Sequence, residues 1–592
     1  MIASREVRPP GVYHTGFGSR VTTINIANTN IAGFVGIANK GPLDFPRLLQ
    51  SWAEFVEVYG GSSDGYLARA VEGFFLNGGR QCYVVRVARR PRDDEQLGQE
   101  HTAPASRIIK DAWDKETLRV LAINEGRWGN NIWVRFAQNN GAKTLLTLDL
   151  TVGAGAARVT STRGIERGSL VRVYDRENSD YVVVTDVDEK EKTIRWGSDT
   201  PIVRRYAAAA PTYVEVIEFE IYASLRDRRE VFRNLQMSPL SRRYAPRVLN
   251  EQSQLLRMED LGSNSPLPNN LPGVAPLERL VGGRDGTDGM VAEDFIGYDH
   301  GMDDRRGLLT LAHVDDVSLI LVPDAMLAYN RMSIPEARIF VQRIQDAMID
   351  ICEQTQDRFA ILDLPETRDI EEIRRLRQRR DSNFAAYYFP WLVVQNSSGT
   401  QSRQPPSGHI AGVYARSEIQ HGVHKAPANE QLFGVTQLTL PLSDDHVGQL
   451  NSEGVNTIRS FTGRGIRIWG ARTCAGDKDW RFVNVRRVFI MLRRAIETGT
   501  QWISFEPNTP DTWAIIEREV SLFLNDLYTR GYFAGGSAED SYIVKCDQET
   551  NPPESVNVGR LVVEIRVAPA LPAEYILFTI EQEMAERALR TE

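Results

Sequence analysis

Val317–Val322 reads VSLILV, Phe359–Leu364 reads FAILDL and Ala385–Val394 reads AAYYFPWLVV. Each is a short, nearly unbroken apolar run, the pattern of a strand buried on both faces. Between the first two lies Ser333-Ile-Pro-Glu336, a capping box with proline in the first turn. It is followed by Phe340, Ile344, Met348 and Ile351 at helical spacing. Between the second and third lies Ile370–Arg380, a basic helical stretch. This β-α-β-α-β order predicts a parallel sheet with covering helices, hence an α/β chain.

The same texture continues on both sides. Gly33–Ala38 and Gln81–Val87 read as strands, and Tyr66–Leu76 has helical spacing. Ser51-Trp-Ala-Glu54 opens a short helix. Residues 106–235 alternate many short β-prone runs with turn signals, which predicts a small sandwich or barrel. Residues 238–278 are rich in Pro, Asn and Ser and read as a long irregular connection, so the middle reads as an inserted domain. Toward the C-terminus, Phe482–Thr498 is an amphipathic helix and Trp502–Phe505 a strand. Asp511 caps a further helix through Leu527, and Ser541–Cys546, Arg560–Val567 and Glu574–Ile580 read as strands. Residues 1–30 form an extended arm, in which Val21–Ile26 (VTTINI) is β-prone. A lone strand must pair, either with its own sheet or with another subunit.

At 592 residues the chain forms several domains. Its 42% hydrophobic and 25% charged residues describe a folded soluble protein. A net charge of −8 gives no global pull toward nucleic acid or anionic membrane. Cys82, Cys352, Cys474 and Cys546 are scattered among apolar residues, which predicts buried, reduced thiols and folding in the cytosol. No apolar leader opens the sequence, and no uncharged apolar run reaches the ~18–20 residues of a membrane span.

Motifs that carry chemistry are incomplete. After the strand Val317–Val322 the turn is Pro323-Asp324-Ala325-Met326, without the glycines that let a phosphate approach the backbone. His421-Gly-Val-His424 with His409 lacks a helical pair spacing and a completing ligand. Ser407 does not lie in a GxSxG elbow. VGGRDGTDG at 281–289 has no EF-hand spacing and reads as a structural turn. The five arginines of Glu371–Ser382 read as a solvated helix with i, i+4 pairs, since no stacking aromatics interleave them. No catalytic, cofactor-binding or metal residue is assigned.

Gln404–Glu430, QPPSGHIAGVYARSEIQHGVHKAPANE, mixes Gly, Pro and Arg with Val, Ile and Tyr. It reads as an ordered, tightly turning backbone built to present shape to a partner. PPSGHIAGVYAR (405–416), LNSEGVNTIRSFTGRGIRIWGART (450–473), WRFVNVRRVF (480–489) and TQWISFEPN (500–508) resemble the contractile tail sheath protein family of phages and phage-like injection systems. IAGFVGIANKGPLDFPRLLQSWAEFVEVYGG (31–61) and FFLNGGRQCYVVRVA (74–88) resemble its N-terminal part. The resemblance covers roughly residues 8–105 and 280–582, and is weak between them except around Gly126–Val134.

The resemblance implies a subunit that polymerises helically around an inner tube and contracts to drive it through a target envelope, without consuming a nucleotide. Its partners would be further copies of itself, the tube protein, and baseplate and terminal cap proteins, with no nucleic-acid contact and no membrane insertion. It would assemble in the cytoplasm and belong to a phage tail or phage-like particle. The implied divisions are an arm at 1–30, an α/β sheath domain from 31–105 and 280–395, an outer β-rich insertion at 106–279, an inner domain facing the tube at 396–572, and an arm at 573–592. Expected inter-subunit strands are Val21, Thr22, Thr23, Ile24, Asn25 and Ile26, with Glu574, Tyr575, Ile576, Leu577, Phe578, Thr579 and Ile580. Arg486, Arg487, Arg493 and Arg494 are candidates for contact with the tube or a neighbour. The competing readings are a static self-assembling coat and, on the α/β core, a nucleotide- or metal-dependent enzyme.

Overall fold

A computed structural model describes residues 24–574, apart from 62–63, 92–97, 99, 263–264, 303 and 396–398. Its centre is an eight-stranded sheet. In chain order the strands are β1 (Ala32–Gly36), β2 (Arg47–Leu49), β3 (Cys82–Arg86), β4 (Leu319–Leu321), β5 (Phe359–Asp363), β6 (Ala385–Phe389), β7 (Val455–Phe461) and β8 (Gly465–Trp469). Their order across the sheet is β2-β3-β1-β4-β5-β6-β7-β8. All neighbours run parallel except the edge strands β2 and β8. Every residue of β1, β4, β5 and β6 is buried, as the unbroken apolar runs require.

The helices that bear on the site are α1 (Trp52–Tyr59), α2 (Leu67–Leu76), α3 (Ile334–Thr355), α4 (Ile370–Arg377), α5 (Ser407–His421), α6 (Val483–Gly499) and α7 (Pro510–Thr529). The Ser51 hydroxyl caps α1 by accepting the Glu54 N–H at 3.2 Å, while Glu54 accepts the Gln50 N–H; the full capping box is at α3, where the Ser333 N–H donates to Glu336 at 3.2 Å.

Helix α5 corrects the reading of Gln404–Glu430 as turning backbone. Its glycines serve close packing rather than bends. A Cβ on Gly408 would lie 2.3 Å from the Ala70 carbonyl oxygen, and one on Gly412 2.4 Å from that of Phe74. One helical turn apart, the two glycines let α5 lie against the backbone of α2. Gly73 of α2 leaves the matching space for the His409 ring, whose Nδ1 a Cβ there would meet at 2.2 Å.

The C-terminal ends of the strands are filled by the chain itself. Buried Asp324, just after β4, accepts the backbone N–H groups of Ile37 at 2.7 Å and Leu67 at 3.2 Å, and that of Tyr66. Asp363, ending β5, accepts the Ser407 hydroxyl at 2.6 Å and its N–H at 2.9 Å. Burial raises the Asp324 carboxyl to about 6 and the Asp363 carboxyl to about 7. These carboxylates occupy the place where a phosphate would sit in a nucleotide-binding sheet.

Residues 106–279 leave and rejoin the chain at one place. Entry and exit lie side by side, with Ala103 bridged to Arg284 and Ser106 to Val281. Two 13-residue strands, Trp133–Leu145 and Tyr213–Leu225, pair antiparallel. They link a core around Val171, Val182 and Val214 to another around Leu118, Phe136 and Leu256. The stretch 238–278 is less irregular than expected. Helix Ala245–Gln252 and strands Leu256–Asp260 and Ala275–Arg279 cover the second core.

The sheet does not respect a division at 395/396, because β7 and β8 complete it from beyond that point. A separate core begins only with α6. The segment Trp502–Phe505 is not a strand: Gln501–Ile503 is a single 3₁₀ turn leading into an irregular loop. All four cysteines are buried thiols.

Candidate assembly surface

Helices α6 and α7 build the separate core from Val488, Met491, Leu492, Ile516, Val520, Phe523 and Leu527. On it lies a ribbon of two antiparallel strands, β9 (Tyr542–Lys545) and β10 (Glu564–Val567). Alternation places Tyr542, Val544, Ile565 and Val567 against the core, while Ile543 is 53% exposed on the other face. Among the described residues no third strand pairs with either outer edge. A two-stranded ribbon is marginal alone, and its open edges offer backbone donors and acceptors to another chain.

Beside the ribbon lies a groove of about 730 Å³ lined by Ile496, Ile503, Phe505, Ile516, Leu561 and Val563. Phe505 is fully exposed and sits at φ 75°, a left-handed conformation that is unfavourable for a bulky side chain. Its loop is fixed nonetheless. The Glu506 N–H donates to the Ile503 carbonyl at 2.9 Å, and the Trp513 indole donates to Asn508 at 2.6 Å.

The ends of the described chain converge on α6. Ile24 is 6% exposed within the α6–α7 core, beside Gly499. The Thr29 N–H and hydroxyl each donate to Glu418 at 2.8 Å. Arg487 pairs with Glu418 at 2.5 Å and donates to the Thr29 carbonyl at 3.0 Å. Arg494 donates to the Val317 carbonyl and the Ser318 hydroxyl, both at 2.5 Å, and to the Asn28 carbonyl at 3.4 Å. At the other end the Asn484 amide donates to the carbonyls of His424 at 2.8 Å and Ala570 at 3.0 Å. The Arg472 guanidinium then forks onto Glu574, with Nε to Oε1 at 2.9 Å. Asn484, Arg487 and Arg494 share one face of α6, so a single helix holds both chain ends.

This corrects the expectation for the arginines of α6. Arg487 is 2% exposed and Arg494 is turned into the seam with the sheet. Arg486 lies 3.6 Å from the Trp480 ring centroid and 4.3 Å from that of Phe384, and burial lowers its pKa to about 10. The physical reason is that α6 is packed between two cores, so its polar residues face seams as well as solvent. Only Arg493 of the four is exposed, and it donates to the Gln356 side chain at 2.7 Å.

Of the expected arm strands, Val21, Thr22 and Thr23 lie outside the described residues, as do Tyr575, Ile576, Leu577, Phe578, Thr579 and Ile580. Ile24, Asn25 and Ile26 are described and make no strand pairing. Glu574 is held by Arg472 rather than in a strand. His409 of α5 is buried against α2, whereas His421 and His424 flank the chain-end segments. Among the described residues no group of three His, Cys, Asp or Glu has metal-binding geometry. No helix of the described residues is long and apolar enough to cross a membrane. Ser541–Cys546 and Arg560–Val567 contain the two ribbon strands as read from sequence; what that reading missed is their pairing on the α6–α7 core and the anchors beside it, because both depend on which segments meet in space.

Residues 325–474 match the phage tail sheath protein central domain, and residues 475–583 the phage tail sheath C-terminal domain. A prophage major tail sheath protein of Pseudomonas aeruginosa is 26% identical over 247 residues, 40% of this chain and 61% of that one. The tail sheath protein of Burkholderia phage BcepMu is 29% identical over 213 residues, 34% of this chain and 43% of that one. The matched stretches thus span less than two thirds of these relatives' lengths. The fold is that of the contracted PVC sheath of an extracellular contractile injection system, with a TM-score of 0.52 at 18% identity over 99% of this chain and 100% of that one. The sheath tail protein Lin1278 of Listeria innocua gives a TM-score of 0.50 at 12% identity, over 93% and 97% of the two chains. Two adjoining domain matches in their proper order, related sequences and a shared fold agree, and residues 325–583 are similar throughout to the central and C-terminal domains of phage tail sheath proteins.

Proposed function

We propose that this chain is the structural subunit of a contractile sheath, polymerising helically around an inner tube and shortening to drive that tube through a target envelope. The observation that carries this is the open ribbon β9–β10 on an apolar platform, flanked by the anchored roots of both chain ends. An arm from a neighbouring copy completes the ribbon by strand addition, through backbone hydrogen bonds that survive rotation of the subunits. Such a contact is heterologous and does not close on itself, so it propagates as a filament. The roots stay fixed on α6 while the subunits change between two packings. The chain does this as a structural protein, not an enzyme, and the stroke is supplied by a few kcal/mol per subunit stored at assembly. The tube and the baseplate are its further partners, in a phage tail or phage-like particle.

The test is electron microscopy of the chain, alone and co-expressed with candidate tube proteins. Hollow helical tubes, or sheathed tubes found at two lengths with one subunit count, are the expected result. Tubes of a single length under every condition would make the chain a static coat, and a monodisperse particle would remove self-assembly altogether.

A further inference from the structure

A cleft of about 300 Å³ opens between the end of α4, the turn Ser452–Gly454 and the loop Arg472–Arg481. It is lined by Arg377, Arg380, Arg472 and Arg481, with Asp381 and Glu453 as its acids. Each acid is engaged through one oxygen: Asp381 Oδ1 accepts the Gly476 N–H at 3.0 Å, and Glu453 Oε1 pairs with Arg374 at 2.5 Å, while Glu453 Oε2 is buried without a partner. Arg380 is matched by Asp346 at 3.2 Å and by Asp350, and Arg472 by Glu574. Two cations remain without a carboxylate. Arg377 is 8% exposed, and its terminal nitrogens donate only to the carbonyls of Arg380 at 2.8 Å and Cys474 at 2.7 Å. Its Nε has no partner. Arg481 makes no side-chain hydrogen bond or ion pair among the described residues, although its backbone carbonyl is fixed by the Thr473 N–H at 2.7 Å.

A guanidinium nine-tenths buried without a counter-ion is costly, and a carboxylate offsets the cost best because its two oxygens match the planar fork. The cleft is also kept open. Gly454 has φ +82°, and a Cβ there would lie 3.2 Å from Arg377 Nη2 and 2.8 Å from the Thr473 carbonyl oxygen. The same wall already holds one carboxylate, Glu574, on Arg472.

We propose that this cleft is an oxyanion site that receives a carboxylate side chain from a second copy of this chain, between Arg377 and Arg481. The donor is argued from chemistry: the chain carries 78 acidic against 70 basic residues, so carboxylates are the abundant anion on its own surface. In a polymer they are presented at high effective concentration. This inference rests on the sheath reading for the identity of the donor, but the cleft can be tested without it.

Inorganic phosphate serves as the probe. Thermal unfolding of the full chain is compared in sodium phosphate and in sodium chloride at equal ionic strength, for the wild type, Arg481→Gln and Arg481→Lys. Phosphate should raise the wild-type midpoint by a few degrees, leave R481Q unmoved and act partly on R481K. By light scattering, R481Q and added phosphate should each raise the concentration at which assembly begins by about tenfold, the equivalent of about 1.4 kcal/mol. No phosphate shift in the wild type overturns the site. A phosphate shift with unchanged assembly in R481Q overturns the second-copy donor and leaves a free anion site. A chain that assembles under no condition overturns the sheath reading and the donor together, while the phosphate shift still judges the cleft.

Discussion

The eight-stranded sheet and the β9–β10 ribbon are built from the same kinds of residue, yet one is finished and the other is not. In the sheet, β1, β4, β5 and β6 are buried throughout, and Asp324 and Asp363 stopper the strand ends. In the ribbon, two four-residue strands are half buried, and both outer edges are unpaired among the described residues. The sheet can be completed by its own chain. On the proposed function the ribbon is completed by a strand from another chain, which would suit a subunit that must stay attached while its neighbours move.

The largest break of this contrast is to remove the donor. Deleting residues 575–592, which spares the Glu574–Arg472 pair, should leave a folded, soluble chain with a nearly unchanged unfolding midpoint of the sheet, and should abolish tube formation. Tubes from the truncated chain would mean that the ribbon is completed by something other than this arm.

Next come substitutions that loosen one region and spare the other. Arg487→Met leaves the largely covered Glu418, its partner at 2.5 Å, without a cation and removes the bond to the Thr29 carbonyl. The expected cost is about 3–5 kcal/mol, confined to the α6–α7 unit and residues 24–30. Hydrogen exchange should therefore rise there and not in β4–β6. Gly412→Ala acts in the opposite place, pushing a Cβ to 2.4 Å from the Phe74 carbonyl oxygen. It should cost about 1–3 kcal/mol in the sheet unit and leave exchange in β9–β10 unchanged. Equal loss in both regions from either change would show one cooperative unit rather than two.

The two regions were also unequally legible. Continuous apolar runs such as Phe359–Asp363 have one physical meaning, a strand covered on both faces, and the parallel order follows from the helices between them. Gly408 and Gly412 were ambiguous because a glycine that bends the chain and one that admits a neighbouring backbone look alike in sequence. Only the meeting of α5 with Ala70 and Phe74 separates them. Arg486, Arg487 and Arg494 failed for a related reason. An arginine on an amphipathic helix reads as solvent-facing until a second core is found on its far side. The anchors at Glu418 and Arg472 join residues 389 and 102 positions apart, a relation that no local pattern carries.

Acid should distinguish the regions more gently. Burial lowers the His409 imidazole to about 4 from an ordinary value of 6.5, and its Nδ1 lies 3.3 Å from the Gln404 amide. A base whose folded pKa is depressed contributes stability above its unfolded value and loses it as the pH falls toward the folded one. His409 therefore contributes a loss of at most about 1.4 kcal/mol per pH unit between pH 6.5 and pH 4, set against the gain from Asp324 and Asp363, whose raised carboxyls favour the folded state over the same range. His409→Gln should remove that loss and make the sheet unit more stable in acid, relative to pH 7, than the wild type in thermal unfolding of the unassembled chain. An unchanged slope would place the acid sensitivity at another group.

The smallest effect is the most discriminating. Phe505 holds φ 75° while its ring is fully exposed, so within one chain it gains no burial for its backbone strain. Phe505→Gly removes that strain and no internal contact area, and should raise the stability of the unassembled chain by about 1 kcal/mol, less the extra unfolded-state freedom of glycine. If the ring is covered on assembly beside the open groove, the same substitution should raise the concentration needed for tube formation. Stability and assembly would then move in opposite directions, a result no defect in folding can produce. If both are unchanged or both improve, the ring lies outside the contact, and the open surface is confined to the ribbon edges.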